Sequence, residues 1–308
     1  MDSQNISIYD TIKTEGTGKG TGMVSPENLG ILQEKLFDTL VYLADFCDKH
    51  GIRYWLVAGT CLGAIRHHDF IPWDDDLDVA MLRSDYDKLF DLWEKYGDKE
   101  NFSLYRTTKD FCAQVPIGIM RNNNTTFIRE YEEGLEDRNL GVKIDIEPLD
   151  EIADDPGKRK KQKLYAYLYV LFLTQRNPRK KRKKAYLNIV PRILLAVFKG
   201  KRIRNWIVKK SEIQVKKYNG TGCKRLAVNG LGLGSQWPRE DLAELTKATF
   251  HGREFNVPKN YDAYLKRLYK DYMALPPVDK RLPQDEPVYY DLNTPYKVYL
   301  AEKKRINH

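Results

Sequence analysis

The chain has 308 residues, 42% of them hydrophobic and 12% aromatic, which excludes a disordered protein and is enough for one large domain or two modest ones. No Cys-x-x-Cys pair occurs among its four cysteines, which argues against a zinc finger or a disulfide framework and favours a reducing, cytoplasmic setting. The net charge of +9 is unevenly distributed, because residues 156–217 hold 21 Lys and Arg residues against one acid, Glu212. Such a block predicts a polyanionic partner, either nucleic acid or anionic lipid.

The first residues have neither a cationic head nor an apolar core, so we expect no signal peptide. Their Gly, Thr and Ser content predicts a flexible tail over residues 1–26. Between residues 29 and 46, leucines and a phenylalanine recur at steps of three and four, which predicts an amphipathic helix that ends near Gly51.

Helix and strand patterns then interleave up to residue 155. Strands are predicted over residues 53–58, 76–81, 102–106, 113–121 and 141–150, and a turn into a short helix over 59–67. A capping box of Ser84 and Asp87 is expected to open a further helix over residues 85–97. This alternation predicts an α/β or α+β core domain over residues 27–155.

A basic helical insert is predicted over residues 156–218. Its two apolar runs are too short to cross a bilayer, which takes ~20 apolar residues, and Pro191 and Arg192 interrupt the second. The runs can instead lie in the membrane interface, with their Lys and Arg residues on lipid head groups. The alternative is a solvated helical hairpin packed on the core.

Residues 219–308 are predicted to complete the core domain. A hairpin is expected to turn at His251 and Gly252, and a helix over residues 260–277 to stop at Pro276 and Pro277.

Four aspartates crowd residues 74–78, in the sequence Trp-Asp-Asp-Asp-Leu-Asp. On a strand, Asp76 and Asp78 would share one face, and two carboxylates at that spacing suit Mg²⁺ or Mn²⁺. Asp145 is an isolated acid in an apolar strand, which is costly to bury unless it is paired or bound to metal. We therefore expect these three carboxylates to form one metal site.

A glycine turn precedes the aspartates. Gly59 and Gly63 lie where a strand is predicted to lead into a helix, and backbone N–H groups at such a turn can cradle a phosphate. Arg66, His67 and His68 follow within reach, although a surface position is expected for His68. The glycine turn, the paired aspartates and the isolated strand aspartate together predict metal-dependent phosphate chemistry.

The block GTCLGAIRHHDFIPWDDDLDVAM closely resembles the signature of the LicD/fukutin family of phosphotransferases, and RNNNTTFI, GVKIDIEPLD and LYKDYMALPPVDKR resemble further family blocks. The resemblance runs from about residue 30 to residue 285. It implies a nucleotidyltransferase fold of the polymerase-β type with a mixed central sheet. Glu147 and Lys270 depart from the Phe and Gly that the family often has at these positions.

The resemblance implies transfer of phosphocholine, or another phospho-alcohol, from a CDP-alcohol to a hydroxyl of a teichoic acid or other surface glycan, with release of CMP. Gly59 and Thr60 fall on the family's glycine turn, Asp76 and Asp78 on its metal pair, and Asp145 on its third carboxylate. We expect Asp145 to bind the metal or to accept the hydroxyl proton.

Substrate contacts can be predicted from the residue types nearby. Arg66 and Arg121 are candidates for phosphate binding, since a guanidinium matches phosphate oxygens. Trp73 is a candidate for the aromatic face that a choline group requires, and Trp55 a weaker one. His67 and Asp74 are expected to position substrate or to support the metal site, and Asp75 less so.

Two other functions use the same residues. A nucleotidyltransferase acting with an NTP on a nucleic acid or a small molecule would share the carboxylates, but the insert interleaves lysines with aliphatic runs rather than stacking aromatics, so nucleic acid is not the expected partner. A non-catalytic membrane adaptor would use the acids structurally. The expected partners are CDP-choline or another CDP-alcohol, a glycan or glycolipid acceptor and an anionic membrane surface met by residues 156–217, which predicts a peripheral protein on the inner face of the plasma membrane.

Overall fold

The computed structural model describes residues 16–108, 115–133, 138–174, 189–228, 236–242 and 244–306. Its helices are α1 (Pro26–His50), α2 (Ala58–Arg66), α3 (Arg83–Tyr96), α4 (Pro156–Thr174), α5 (Ile189–Val197), α6 (Lys201–Lys216), α7 (Arg239–Leu242), α8 (Tyr261–Tyr269) and α9 (Tyr296–Ile306). Its strands are β1 (Lys19–Gly20), β2 (Trp55–Leu56), β3 (Asp78–Leu82), β4 (Phe102–Tyr105), β5 (Gly118–Asn122), β6 (Thr126–Arg129), β7 (Lys143–Ile152), β8 (Arg225–Val228), β9 (Gln236–Pro238), β10 (Leu245–Phe250), β11 (Arg253–Pro258) and β12 (Pro287–Asp291).

A mixed seven-stranded sheet organises these elements. Its strands follow the order β2-β3-β7-β5-β4, and β8 and β9 extend it beside the second half of β7. The long strand β7 pairs in parallel with β3 on one side, and antiparallel with β5 and then β8 on the other. The prediction of a mixed α/β chain is confirmed.

Helix α1 covers the core as its periodicity predicts. Leu32, Leu36, Leu40 and Leu43 are almost fully buried on one face. The helix ends at His50 because Gly51 takes the left-handed conformation, with φ 60°, that glycine adopts without a steric penalty.

Several local predictions are wrong. The structure begins α3 at Arg83 with Leu82 as the cap and no side-chain cap bond, so Ser84 and Asp87 form no capping box. Helix α8 ends at Tyr269, well before the prolines, because Lys270 leaves the helical conformation with φ 59° and ψ −107°. The strand predicted over 53–58 contains two residues.

Within the predicted tail, residues 16–25 contact the rest of the protein. Strand β1 pairs with β12, Asn28 accepts the Gly18 backbone N–H at 2.7 Å, and Val24 is fully buried. Residues 1–15, Cys112 and the first part of the strand predicted over 113–121 lie outside the described residues.

The hairpin prediction is confirmed. Strands β10 and β11 turn at His251 and Gly252, whose positive φ angles of 49° and 77° suit a tight hairpin turn. The His251 ring lies between two carboxylates, with Nδ1 2.7 Å from Asp69 Oδ1 and Nε2 3.1 Å from Glu34 Oε1.

The described part of the basic insert is helical and is anchored to β7. Gln162 of α4 donates from Nε2 to the carbonyls of Glu151 and Val215 and accepts the Ala153 N–H, so one buried amide joins β7, α4 and α6. A small second core, made of Ile152, Ala166, Val215 and Ala227, lies at the same place. Among the described residues, no helix has both the length and the apolar character needed to span a membrane.

Candidate active site

The site forms where β3 begins. Asp78 is the first residue of β3 and lies opposite Asp145 in the parallel register with β7. The Asp78 N–H donates to Thr60 Oγ1 at 2.8 Å, and the Asp78 carbonyl accepts the Val57 N–H at 3.2 Å. Val57 and Thr60, at the start of helix α2, therefore hold the backbone of Asp78.

The approach to β3 brings three further acids together. Carboxylate oxygens of Asp74, Asp75 and Asp76 all lie within 4.8 Å of one another. The charges of Asp76, Asp78 and Asp145, the three predicted ligands, also interact with one another. In the described residues, however, the cluster of close carboxylate oxygens consists of Asp74, Asp75 and Asp76. Asp76 is thus common to the predicted site and to the observed cluster.

Burial makes this cluster electrostatically unfavourable. Burial and the charges of Asp76 and Asp75 raise the pKa of Asp74 well above its usual range, and burial and the charges of Asp76 and Asp145 do the same for Asp78. Burial raises the pKa of Asp75 to about 6. A hard divalent cation fits this set of oxygens, because it would offset the repulsion that burial strengthens.

Asp75 has a structural task as well. Its two carboxylate oxygens accept the backbone N–H groups of Gln284 and Asp285, at 3.2 and 2.8 Å. Asp285 in turn binds the Arg129 guanidinium, with Nε at 2.6 Å from Oδ2. Asp75 therefore anchors a segment from the far end of the chain beside the cluster.

Two basic side chains face the acids. Lys143 Nζ lies 2.6 Å from both oxygens of Asp145, and the charges of Lys143 and Arg129 oppose the burial that raises the pKa of Asp76. Asp145, which is partly buried, is thus paired with a lysine two residues away on the same face of β7.

Gly59 and Gly63 of α2 are closely approached by other parts of the protein, where a side chain would not fit. A Cβ on Gly59 would lie 2.8 Å from Asp74 Oδ2, and one on Gly63 would lie 2.6 Å from the Asp69 carbonyl oxygen. Gly59 therefore gives Asp74 access to the start of α2, and Gly63 lets the following loop pack against the helix. Thr60, 2% exposed, positions the Asp78 backbone.

A family model matches the part of the chain that contains α2 and the clustered aspartates. Residues 51–129 match the family model for LicD/FKTN/FKRP, nucleotidyltransferase domain, and this range includes α2 and all four clustered aspartates. The chain therefore contains a LicD-family domain. It is 28% identical over 259 residues to the lipopolysaccharide cholinephosphotransferase LicD of Haemophilus influenzae, covering 79% of this chain and 91% of that protein.

A shorter match involves a mammalian relative of the LicD-family domain. The human ribitol 5-phosphate transferase FKRP is 44% identical over 50 residues, or 16% of this chain and 10% of that protein. The mouse protein matches over the same length.

Within the LicD-family domain, Arg121 does not take the predicted phosphate-binding position. It is 2% exposed, and its guanidinium donates to Tyr105 Oη at 2.6 Å, to the Gly141 carbonyl at 2.7 Å and to the Glu132 carboxylate. All three nitrogens are thus engaged inside the protein. The burial of a charged side chain depends on partners that the local sequence does not reveal.

The remaining predicted contacts of the LicD-family domain lie around Trp73. Arg66 donates from Nη1 to the Tyr272 carbonyl at 2.7 Å and from Nε to His67, and its charge interacts with Asp74. The Arg281 guanidinium lies 5.6 Å from the centroid of the Trp73 ring, so a side chain of the protein covers the predicted choline-binding face. Trp55 is a core residue, 1% exposed.

Two residues near the cluster were missed by the sequence analysis. Tyr269 is 40% exposed, and burial of its hydroxyl together with the charges of Asp74, Asp78 and Asp76 raises its pKa. Glu147 continues the alternation of Lys143 and Asp145, and burial and the Asp145 charge raise its pKa to about 7. The every-second-residue spacing could have revealed Glu147, and the block LYKDYMALPPVDKR, which contains Tyr269, was the signal that could have revealed Tyr269.

Proposed function

We propose that the protein transfers a phosphorylated alcohol from a nucleotide-activated donor to a hydroxyl group of a cell-surface glycan. The partly buried group of aspartates at the start of β3, next to Asp145, carries the proposal. The activities of the two relatives, phosphocholine transfer and ribitol 5-phosphate transfer, support the reaction class. CDP-choline is the proposed donor, CMP the product, and a teichoic acid, lipopolysaccharide or capsule precursor the acceptor.

The acidic side chains would hold the cofactor. Asp74, Asp76 and Asp78 would supply oxygen ligands, and Asp145 would either complete the set or act as the base. Bound Mg²⁺ or Mn²⁺ would supply the charge neutralisation that a diphosphate needs during phosphoryl transfer.

The chemistry assigns further tasks to the chain itself. The acceptor oxygen forms a bond to the phosphorus that carries choline, and the bond from that phosphorus to CMP breaks, with CMP leaving with the electron pair. Asp145 is the proposed acceptor of the hydroxyl proton, and Glu147, on the same face of β7, is the second candidate. Lys143 and Arg66 limit repulsion between the carboxylates and an anionic donor.

Two broader features belong to the same proposal. The mixed sheet with paired acids on β3 and β7 supports a nucleotidyltransferase fold for the LicD-family domain. A lipid-linked glycan precursor would be met at an anionic membrane surface, to which the basic insert would bring the protein.

The decisive experiment is a donor panel. Purified protein is incubated with CDP-choline, CDP-ribitol, CDP-glycerol or CTP, with Mg²⁺, Mn²⁺ or a chelator, and with a crude glycolipid extract. Metal-dependent and acceptor-stimulated CMP release from one CDP-alcohol supports the proposal. Asp76→Asn should abolish this release, and Asp91→Asn, an exposed change on α3, should leave it intact.

Other outcomes overturn the proposal. Pyrophosphate release from CTP would identify a nucleotidyltransferase instead. An inactive panel, with no rise in melting temperature on adding Mg²⁺ or Mn²⁺ to the wild-type protein, would reject the metal site. A melting temperature that rises equally in wild-type protein and in Asp76→Asn would place metal binding elsewhere.

A further inference from the structure

Exposed apolar side chains are concentrated on the helices of the basic insert. In the part of the chain that the structure describes, 18 large hydrophobic side chains are exposed, and nine of them lie between residues 156 and 217: Leu164, Tyr167, Ile189, Val190, Ile193, Val197, Ile203, Trp206 and Ile213. This segment is only about a fifth of the chain, so the enrichment calls for a partner.

Helix α6 has two distinct faces. Ser211 and Val215 are buried against the rest of the protein. Ile203, Trp206 and Ile213, spaced three and seven residues apart, lie together on the opposite side, where Trp206 is 62% exposed. The helix therefore anchors itself through one face and presents an apolar stripe on the other.

Helix α5 presents a second stripe. Ile189, Val190, Ile193 and Val197 fall within one face by helical spacing, and each is more than half exposed. Pro191, on the other side, is buried. Arg204 of α6 donates from Nε to the Phe198 carbonyl at 3.2 Å, which ties the end of α5 to α6.

Basic residues border both stripes. Arg192 and Lys199 lie in or next to α5, and Arg202, Lys209 and Lys210 are exposed on α6. An apolar stripe with a cationic border suits the boundary between lipid head groups and acyl chains. Nucleic acid fits less well, since Trp206 is the one aromatic residue in the sequences of these two helices.

We propose that the exposed faces of α5 and α6 form a docking surface for an anionic lipid bilayer. The insert docking surface comprises Ile189, Val190, Ile193, Val197, Ile203, Trp206 and Ile213 with their basic border. Only its purpose, meeting a lipid-linked acceptor, rests on the proposed function. Lipid binding itself requires no catalysis.

The insert docking surface is mechanically joined to the candidate active site. Gln162 and the second core fix α4 and α6 to the end of β7, and the same strand carries Asp145 seven residues before Ile152. Docking on a bilayer therefore sets the orientation of the carboxylates relative to the membrane plane.

Trp206 provides a built-in reporter. The other four tryptophans, Trp55, Trp73, Trp93 and Trp237, are all at most 9% exposed, so a change in tryptophan emission on adding vesicles reports mainly on Trp206. With vesicles of phosphatidylcholine and phosphatidylglycerol we expect a blue shift, quenching by brominated lipid, and at least tenfold stronger binding than to phosphatidylcholine alone. Trp206→Phe should remove the shift.

Matched variants separate lipid docking from folding defects. Ile193→Glu with Val197→Glu should reduce flotation with anionic vesicles at least tenfold, whereas Val298→Glu, an exposed change on α9, should not. Circular dichroism and melting temperature verify that each variant is folded. Lys209→Glu with Lys210→Glu should abolish the preference for anionic lipid at low salt.

Several results would overturn the inference. These are failure of the wild-type protein to float with anionic vesicles, equal binding to neutral vesicles, and emission changes with RNA but not with lipid. Concentration-dependent self-association that shields Trp206 would assign the surface to a second copy. Asp76→Asn should bind vesicles like the wild-type protein, so a failed transferase assay and a failed docking assay remain distinguishable.

Discussion

The ion pair between Arg83 and Asp150 joins helix α3 to the second half of β7, and its loss should be among the most damaging single changes. Asp150 is fully buried and Arg83 nearly so, with Nε–Oδ1 2.9 Å and Nη2–Oδ2 2.8 Å. Asn219 also donates to Asp150 Oδ1 at 2.6 Å. Asp150→Asn preserves the shape but leaves the guanidinium without its counter-charge, and removing one partner of a buried pair costs about 3–5 kcal/mol.

Urea denaturation followed by circular dichroism measures this cost. Asp91→Asn, on the exposed side of the same helix, should change the free energy of unfolding by less than about 0.5 kcal/mol. The double variant Arg83→Met with Asp150→Leu should recover most of the lost stability, because apolar groups of similar volume can replace a buried pair. Two results would refute the assignment of Arg83 and Asp150 as a buried ion pair. One is a decrease in the free energy of unfolding of less than about 1 kcal/mol in Asp150→Asn, and the other is a double variant that is less stable than Asp150→Asn.

Three further changes test local features of the fold. Lys270→Gly should raise the free energy of unfolding by about 1 kcal/mol, because the backbone angles of Lys270, φ 59° and ψ −107°, are strained for any residue that has a Cβ. Lys270→Ala keeps the Cβ, so urea denaturation should show no comparable gain. Gly63→Ala should destabilise the protein by about 1–3 kcal/mol, since the new methyl would lie 2.6 Å from a backbone oxygen, whereas Gly30→Ala has open space and should be neutral or stabilising. Burial lowers the pKa of His251, but the carboxylates of Asp69 and Glu34 outweigh burial, so the pKa in the folded protein is raised. The ion pairs of His251 therefore contribute their full stability below pH 6.5, and this contribution is lost as the pH rises through the folded-state pKa. The difference in melting temperature between wild-type protein and His251→Gln should therefore shrink as the pH rises; a difference that stays constant would contradict the charged pair.

Some helices and strands could be predicted well from local periodicity. Leucines at three- and four-residue steps identified α1, and the alternation around Asp145 identified β7. Boundaries were less predictable, because a capping pattern such as Ser84 and Asp87 is only one of several ways to begin a helix. Helix α8 ends before the prolines because the backbone of Lys270 takes a positive φ, which the pattern of residues around it did not predict.

The sequence by itself determined that Asp78 and Asp145 belong to neighbouring strands and that residues 156–217 carry the basic charge, although the strand predicted from residue 76 begins only at Asp78 and leaves Asp76 on the segment before it. Both follow from patterns in which the informative residues lie close together along the chain. Only the tertiary structure decided which partners these side chains meet. Asp75 binds the backbone of Asp285, 210 residues away, and Asp285 reaches Arg129 across 156 residues. Burial and pairing of charges depend on such distant contacts, because a charge can leave water only where the folded chain supplies its counter-charge.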